Sequence, residues 1–144
     1  MGLTMEQPQA VAAWICNRTD GQCISGPFQT LARTDKEGRI LGGVVFHMFN
    51  GHDLWITAAG ETGWASRKML KAIFHFAFDT MPCNRVSTAI AATNKTALDF
   101  AQRLGFQLEG QMRGAWPDGS DAMLYGMLKD ECPWLPNQYN GVLQ

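Results

Sequence analysis

The order of sequence patterns in the middle of the chain constrains the fold more than any other feature. Residues 53–57 have the character of a strand, and residues 58–63 form a loop of small residues. Residues 64–79 carry apolar side chains at helical spacing, and residues 85–91 read as a second strand. Two strands joined through a helix are expected to run parallel, with a right-handed crossover. The order also places a helix N-terminus beside a strand end, where a phosphate group can bind.

Antiparallel hairpins are predicted before this central unit. Residues 28–34 and 39–49 read as two strands that are joined by a turn at residues 35–38. Asn50-Gly51 is a strong signal for a tight turn, so the strand that follows is expected to pair antiparallel with the one before it.

A helix and a closing hairpin are predicted after the central unit. Asn94 is suited to cap a helix over residues 95–104, and Gly105 is suited to the left-handed position that ends it. Two further strands are expected at residues 106–113 and 122–128, with a hairpin loop between them.

The two ends of the chain give weaker patterns. Residues 7–17 have apolar side chains at helical spacing, and the stretch 18–27 is rich in turn signals such as Asp20-Gly21. The fold expected from the whole pattern is α+β, with one mixed, mostly antiparallel sheet of about six strands and flanking helices. We expect a single domain over residues 1–144, with its core at about 28–130 and an irregular tail at 132–144.

The composition excludes several classes of function. The net charge is −1 and there is no long basic run, which argues against binding to nucleic acid. No apolar run approaches the ~20 residues that a membrane-spanning helix needs. The first nine residues lack the pattern of a signal peptide, so a cytoplasmic location is expected.

The cysteines are expected to be reduced thiols. Their positions include no Cys-x-x-Cys pair, and with the three histidines they show no zinc-like spacing; they are Cys16, Cys23, Cys83 and Cys132.

Two signatures give the chain a resemblance to a known family. Residues 94–97 read Asn-Lys-Thr-Ala, and residues 104–110 read Leu-Gly-Phe-Gln-Leu-Glu-Gly. The closing strand at 121–128 reads Asp-Ala-Met-Leu-Tyr-Gly-Met-Leu, and residues 131–134 read Glu-Cys-Pro-Trp. On these residues the chain resembles the GCN5-related N-acetyltransferases (GNAT), which have the acyl-CoA N-acyltransferase-like fold. It is most similar to the branch related to ribosomal-protein N-terminal acetyltransferases, and the resemblance covers about residues 39–135.

The resemblance implies an acetyl-CoA-dependent N-acetyltransferase. Such an enzyme transfers the acetyl group directly to a primary amine, here a protein N-terminus or a small amine. Acetyl-CoA is then a co-substrate, the amine acceptor is the second partner, no metal is expected, and the protein is a monomer or a homodimer. By resemblance, the residues expected to bind CoA are Leu54, Ile56, Gly63, Trp64, Ala65, Ser66, Arg67 and Asn94.

The loop expected to bind the pyrophosphate departs from the family pattern. Glu61 stands where the family has Gln or Arg, and Trp64 and Ser66 stand at the two positions for small residues. A carboxylate disfavours a nearby phosphate, and a large side chain hinders close approach to the backbone. Arg67 offers compensating charge, and the free N–H groups at a helix start do not depend on the side chain.

The catalytic positions also depart from the family. Ala101 stands where many members have a tyrosine that protonates the leaving thiolate. His52, at the start of the central strand, is a candidate general base acting through water, and Tyr125 is a candidate to reach the thioester sulfur. Other roles remain open for each candidate. His52 is equally typical of a solvated turn, Tyr125 of cross-strand packing, and Asn94 of a helix cap alone.

Two alternatives are left open by these departures. One is a CoA-binding or protein-interaction module on the same fold with little or no activity. The other is a nucleotide enzyme, which is disfavoured because the chain has no Gly-x-x-x-x-Gly-Lys loop.

Overall fold

One mixed sheet organises the part of the chain that the computed structural model describes, which is residues 2–19 and 24–136. Its seven strands are β1 (Gly2–Thr4), β2 (Phe28–Thr34), β3 (Ile40–His47), β4 (Asp53–Gly60), β5 (Arg85–Ala91), β6 (Gln107–Met112) and β7 (Ala122–Leu128). Their spatial order is β1-β2-β3-β4-β5-β7-β6, and every neighbouring pair is antiparallel except β4 with β5. The predicted fold class is therefore confirmed.

Three helices flank the sheet: α1 (Pro8–Cys16), α2 (Arg67–His75) and α3 (Lys95–Leu104). The predicted caps of α3 are both present. Asn94 Oδ1 accepts a hydrogen bond from the backbone N–H of Ala97 at 3.1 Å, and Gly105 ends the helix with φ of 113°. These local signals fixed α3 at the predicted residues because each end has its own capping chemistry.

The start of α2 differs from the prediction. The helix begins at Arg67 because Ser66 caps it, with Ser66 Oγ accepting from the N–H of Met69 at 3.2 Å. Trp64 and Ala65 therefore belong to the preceding loop and not to the helix. At its other end α2 continues as a π-helical turn over Phe76–Thr80, as the apolar pattern to residue 79 indicated.

β3 and β6 are each shorter at both ends than predicted, and larger differences occur in β4 and β1. β4 continues to Gly60, three residues beyond the predicted end, because Gly60 still pairs with Gly42 of β3. The short strand β1 has no predicted counterpart, since three residues are too few to show an alternating pattern. Its pairing with β2 makes the sheet one strand larger than expected.

Both faces of the sheet are covered. One face packs on α1, through Val11, Ala12 and Ile15 against Ala32 and Val45. The larger core lies on the other face, beneath α2 and α3, and includes Phe46, Leu54, Phe74, Phe78, Val86, Leu104 and Met127.

The beginning of the predicted tail packs against this larger core. Cys132 and Leu135 are buried, and Trp134 Nε1 donates to the carbonyl of Leu104 at 3.0 Å. Residues 137–144 of the tail lie outside the described residues, as do Cys23 and the predicted turn at Asp20-Gly21. Within the described ranges, no helix is long and apolar enough to cross a membrane.

Candidate active site

The site is built where the two parallel strands separate. β4 and β5 pair only through Asp53 with Arg85, Leu54 with Val86, and Trp55 with Ser87. Beyond these pairs, β4 follows β3 up to Gly60, and β5 follows β7 to its end. The sheet therefore opens between the two strands, and each strand presents an edge to the opening.

A cleft of about 100 Å³ occupies this opening. It passes through the sheet, since Ile56 and Ala58 point toward α2 and α3 whereas Thr57 points toward α1. Among the residues that the structure describes, all those lining it are uncharged: Thr19, Ile56, Thr57, Ala58, Thr88, Ala89, Ile90, Ala91, Asn94, Ala97, Phe100, Ala101, Leu104, Phe106 and Trp116.

A side-chain hydrogen bond closes the bottom of the cleft. Thr88 Oγ1 donates to the backbone carbonyl of Ile56 at 2.9 Å, just beyond the last strand pair. Leu54 lies below this bond, paired with Val86 and only 1% exposed. The structure thus brings Ile56 into the cleft but not Leu54, and the open edge of β4 runs from Ile56 to Gly60.

The loop after β4 is shaped by Trp64. Its indole lies over the paired glycines Gly42 and Gly60, where a Cβ on either glycine would overlap the ring. It also contacts Phe100 of α3, with ring centroids 6.4 Å apart. The bulky residue at the family's small position is therefore accommodated by two glycines on the sheet. Gly63, with φ of 83°, provides the turn that leads into it.

Arg33 holds the same loop from β2. Its Nη1 donates to the carbonyls of Gly63 at 2.6 Å and Trp64 at 2.9 Å. Sequence reasoning missed Arg33, because only the pairing of Arg33 with Gly42 brings this distant residue beneath the loop. The loop therefore has a guanidinium beside it that the sequence pattern did not predict.

Further positive charge lies at the start of α2. Arg33, Ser66 and Lys68 line a cavity of about 160 Å³ next to the first turn of this helix. The guanidinium of Arg67 lies 5.9 Å from the ring centroid of Trp134. Glu61, the carboxylate expected to oppose a phosphate, is exposed to solvent. The cations and the helix N-terminus together favour an anion here.

The start of α3 contributes to the rim of the cleft. Asn94 lines the cleft while its side-chain oxygen caps the helix, so its amide nitrogen is left for another contact. Ala101 is 4% exposed and also lines the cleft, which has no tyrosine hydroxyl at this position.

Neither of the two predicted catalytic residues lines the cleft. His52 is exposed at the opposite end of β4, and its carbonyl accepts from the N–H groups of Asn84 and Arg85. It lies four positions before Ile56, which is roughly 13 Å along a strand. Tyr125 is buried under α3, where its hydroxyl accepts from Gln102 Nε2 at 3.2 Å. Tyr125 pairs with Thr88 of the cleft lining and shares the larger core with Ile56, but its hydroxyl faces α3.

A buried pair of polar side chains, His47 and Thr57, reaches the cleft. His47 Nε2 and Thr57 Oγ1 are 3.0 Å apart, with exposed fractions of 7% and 6%. Thr57 lines the cleft, and burial lowers the pKa of His47. The sequence pattern gave no sign of this pair, and in it Thr57 is simply a β-branched strand residue.

Comparison with known proteins places these features in a family context. Residues 51–121 match the family model described as an acetyltransferase (GNAT) domain. No curated protein gives a significant sequence match to the chain.

Solved structures of acetyltransferases have the same fold. A mutant of spermidine N-acetyltransferase SpeG from Vibrio cholerae superposes with a TM-score of 0.74 at 13% identity, covering 95% of this chain and 99% of that chain. A GNAT-family acetyltransferase from Bacillus anthracis gives a TM-score of 0.60 at 21% identity, covering 71% and 67%. Residues 51–121 therefore resemble an acetyltransferase (GNAT) domain, and the chain has the fold of these enzymes. The predicted similarity to the ribosomal-protein branch is not among these findings and stays a prediction.

Proposed function

We propose that this chain is an acetyl-CoA-dependent N-acetyltransferase that transfers the acetyl group directly to a primary amine. The observation that carries the proposal is the cleft through the sheet between β4 and β5. On one side it is lined by α3 and the Asn94 that caps it, and on the other by Thr57 and by Thr19, which follows α1. Two substrates entering from opposite faces would meet in the opening, as direct transfer requires.

The CoA moiety fits the α2 and α3 side of the cleft. The pantetheine arm would lie along the open edge of β4 from Ile56 to Gly60, within reach of the Asn94 amide. The pyrophosphate would lie at the loop over residues 61–66, where the first N–H groups of α2 are joined by Arg33, Arg67 and Lys68. Gly63, Ala65 and Ser66 contribute backbone to this loop, and Trp64 packs it onto the sheet.

The acceptor is proposed to be a single amine with uncharged surroundings, either a small amine or a protein N-terminus. The described residues that line the cleft include no carboxylate. A polyamine such as spermidine, the substrate named for the Vibrio cholerae enzymes, would place further ammonium groups without partners. A monoamine has a single ammonium group, which needs to lose only one proton before the nitrogen attacks.

The reaction follows from this placement. The neutral amine attacks the thioester carbonyl carbon, and the nitrogen gives up one proton to a base. The carbon–sulfur bond breaks, and CoA leaves as a thiolate that takes a proton from water. Ala101 provides no acid for that last step. No cysteine is needed as a nucleophile, since the acetyl group passes directly between the two substrates.

The experiment is a thiol-release assay with acetyl-CoA and a panel of monoamines, N-terminal peptides and spermidine. Mass spectrometry of the acceptor identifies the product. We expect acetylated monoamine or peptide in amounts equal to the released thiol, with spermidine a poor acceptor. Thiol release without an acetylated acceptor would contradict the proposal, since it indicates hydrolysis.

A CoA-binding module without turnover is the second candidate, and Ala101 is the observation that favours it. Calorimetry together with the acetylation assay separates the two, because that module would bind CoA and yet acetylate none of the panel.

A further inference from the structure

The His47–Thr57 pair connects two cavities. Thr57 lines the cleft, and His47 lines a separate groove of about 470 Å³ at the end of β3. Met48 and Phe49 also line this groove and are 58% and 46% exposed, so the groove reaches solvent. The contact between Nε2 and Oγ1, at 3.0 Å, thus joins the interior of the cleft to an outer surface.

The surroundings of His47 keep its ring uncharged. Its neighbours across the strands are Phe28 on β2 and Trp55 on β4, and α1, which covers this face, has no charged residue in its sequence. The nearest acidic residue along β4 on this face is Asp53, whose Oδ1 accepts from Ser87 Oγ at 2.8 Å and lies 3.5 Å from Arg85 Nε. Burial alone therefore acts on the ring, and it lowers the pKa of His47.

We propose that Thr57 and His47 form a relay that carries the proton of the acceptor amine out of the cleft to the groove. This inference rests on the proposed function, because it assigns the base for that same transfer. Thr57 is the group that touches the amine, and His47 acts through it.

The proton transfers balance without any further reactant. The attacking nitrogen gives a proton to Thr57 Oγ1 while the hydroxyl proton of Thr57 passes to His47 Nε2. His47 then loses a proton from Nδ1 to water in the groove, and reorientation of the hydroxyl and a proton shift on the ring restore the pair. The relay moves only protons, and the electrons of the carbon–sulfur bond leave with the departing thiolate.

Paired substitutions test the relay. Thr57→Val removes the hydroxyl at nearly constant shape, whereas Thr57→Ser keeps it and serves as the control. His47→Gln keeps a polar side chain that cannot titrate. Each variant is assayed for acetyl transfer at saturating substrates between pH 5 and 9, with an acceptor amine that is unprotonated over that range. Calorimetry with CoA and thermal unfolding accompany the assay.

We expect Thr57→Val and His47→Gln to lower the turnover rate by about 100-fold, the contribution typical of a general base. Thr57→Ser should keep most of the rate. The wild-type rate should rise with pH below about 6.5, the ordinary pKa of histidine, and His47→Gln should lose that rise. CoA affinity should be unchanged in all three variants.

Three results would overturn the relay. One is a wild-type pH profile that persists in His47→Gln, and another is a Thr57→Val rate equal to that of Thr57→Ser. The third is a rate loss that only follows a loss of folded protein in the thermal unfolding. A wild-type protein that acetylates no amine would instead contradict the proposed function itself.

Discussion

The hydroxyl of Thr88 donates to the carbonyl of Ile56 at 2.9 Å, and this bond defines how deep the cleft extends between β4 and β5. Thr88→Val removes the donor and leaves a carbonyl of a largely buried residue without it. We expect the free energy of unfolding to fall by about 1–3 kcal/mol, the cost of an unsatisfied buried polar group. Urea denaturation measures the change. Thr88→Ser should retain most of the stability, and an unchanged free energy of unfolding in Thr88→Val would show that the hydrogen bond contributes nothing.

The packing of Trp64 on two glycines gives a second prediction. A Cβ at Gly42 would overlap the indole, so Gly42→Ala should destabilise the protein by about 1–3 kcal/mol, as overpacking does. In a Trp64→Ala background the same change should cost much less. A double-mutant cycle by chemical denaturation measures this coupling. Additive effects of the two substitutions would mean that the ring does not rest on Gly42.

Charge at the start of α2 should govern CoA affinity. Arg67→Glu reverses the charge beside the first turn, and we expect calorimetry to show weaker CoA binding, with a smaller salt dependence. Arg103→Glu is the matched control, because Arg103 is an exposed arginine in the last turn of α3. Equal effects of the two reversals would indicate a general charge effect and no phosphate site at the loop.

The burial of His47 predicts a pH-dependent stability. Its pKa is lowered in the folded protein, so below about pH 6.5 the unfolded chain binds this proton while the folded chain does not. The free energy of unfolding should therefore decrease as the pH falls below 6.5 toward the folded-state pKa, and it should be independent of this group above 6.5. His47→Gln should show a smaller decrease over the same window. Identical slopes for wild type and variant would show that His47 titrates as in the unfolded chain.

The sequence predicted the bounds of those elements that are marked by local signals. Strand β5 and helix α3 lie at the predicted residues, because β-branched alternation, an Asn cap and a terminal glycine are all local signals. The start of α2 was misplaced because the helical apolar pattern does not show where the Ser66 cap lies. The extension of β4 to Gly60 depends on pairing with β3, which no local pattern reveals.

The site was harder to predict than the fold. Ile56 and Asn94 line the cleft and Ser66 caps α2, while the role of these residues in binding CoA stays a prediction. Arg33 and the His47–Thr57 pair were missed, because their positions depend on strand register across the sheet. His52 was predicted to be the base because it lies near the central strand in the sequence. The direction of β4 places it at the end of the strand away from the cleft.

Direct transfer in this protein requires that the thioester of acetyl-CoA lies in the opening between β4 and β5. A crystal structure with CoA bound tests that claim most directly. We expect the pantetheine along the β4 edge from Ile56 to Gly60, the pyrophosphate at the first turn of α2, and the thiol in the cleft near Thr57. CoA bound elsewhere, with the cleft left empty, would contradict the account.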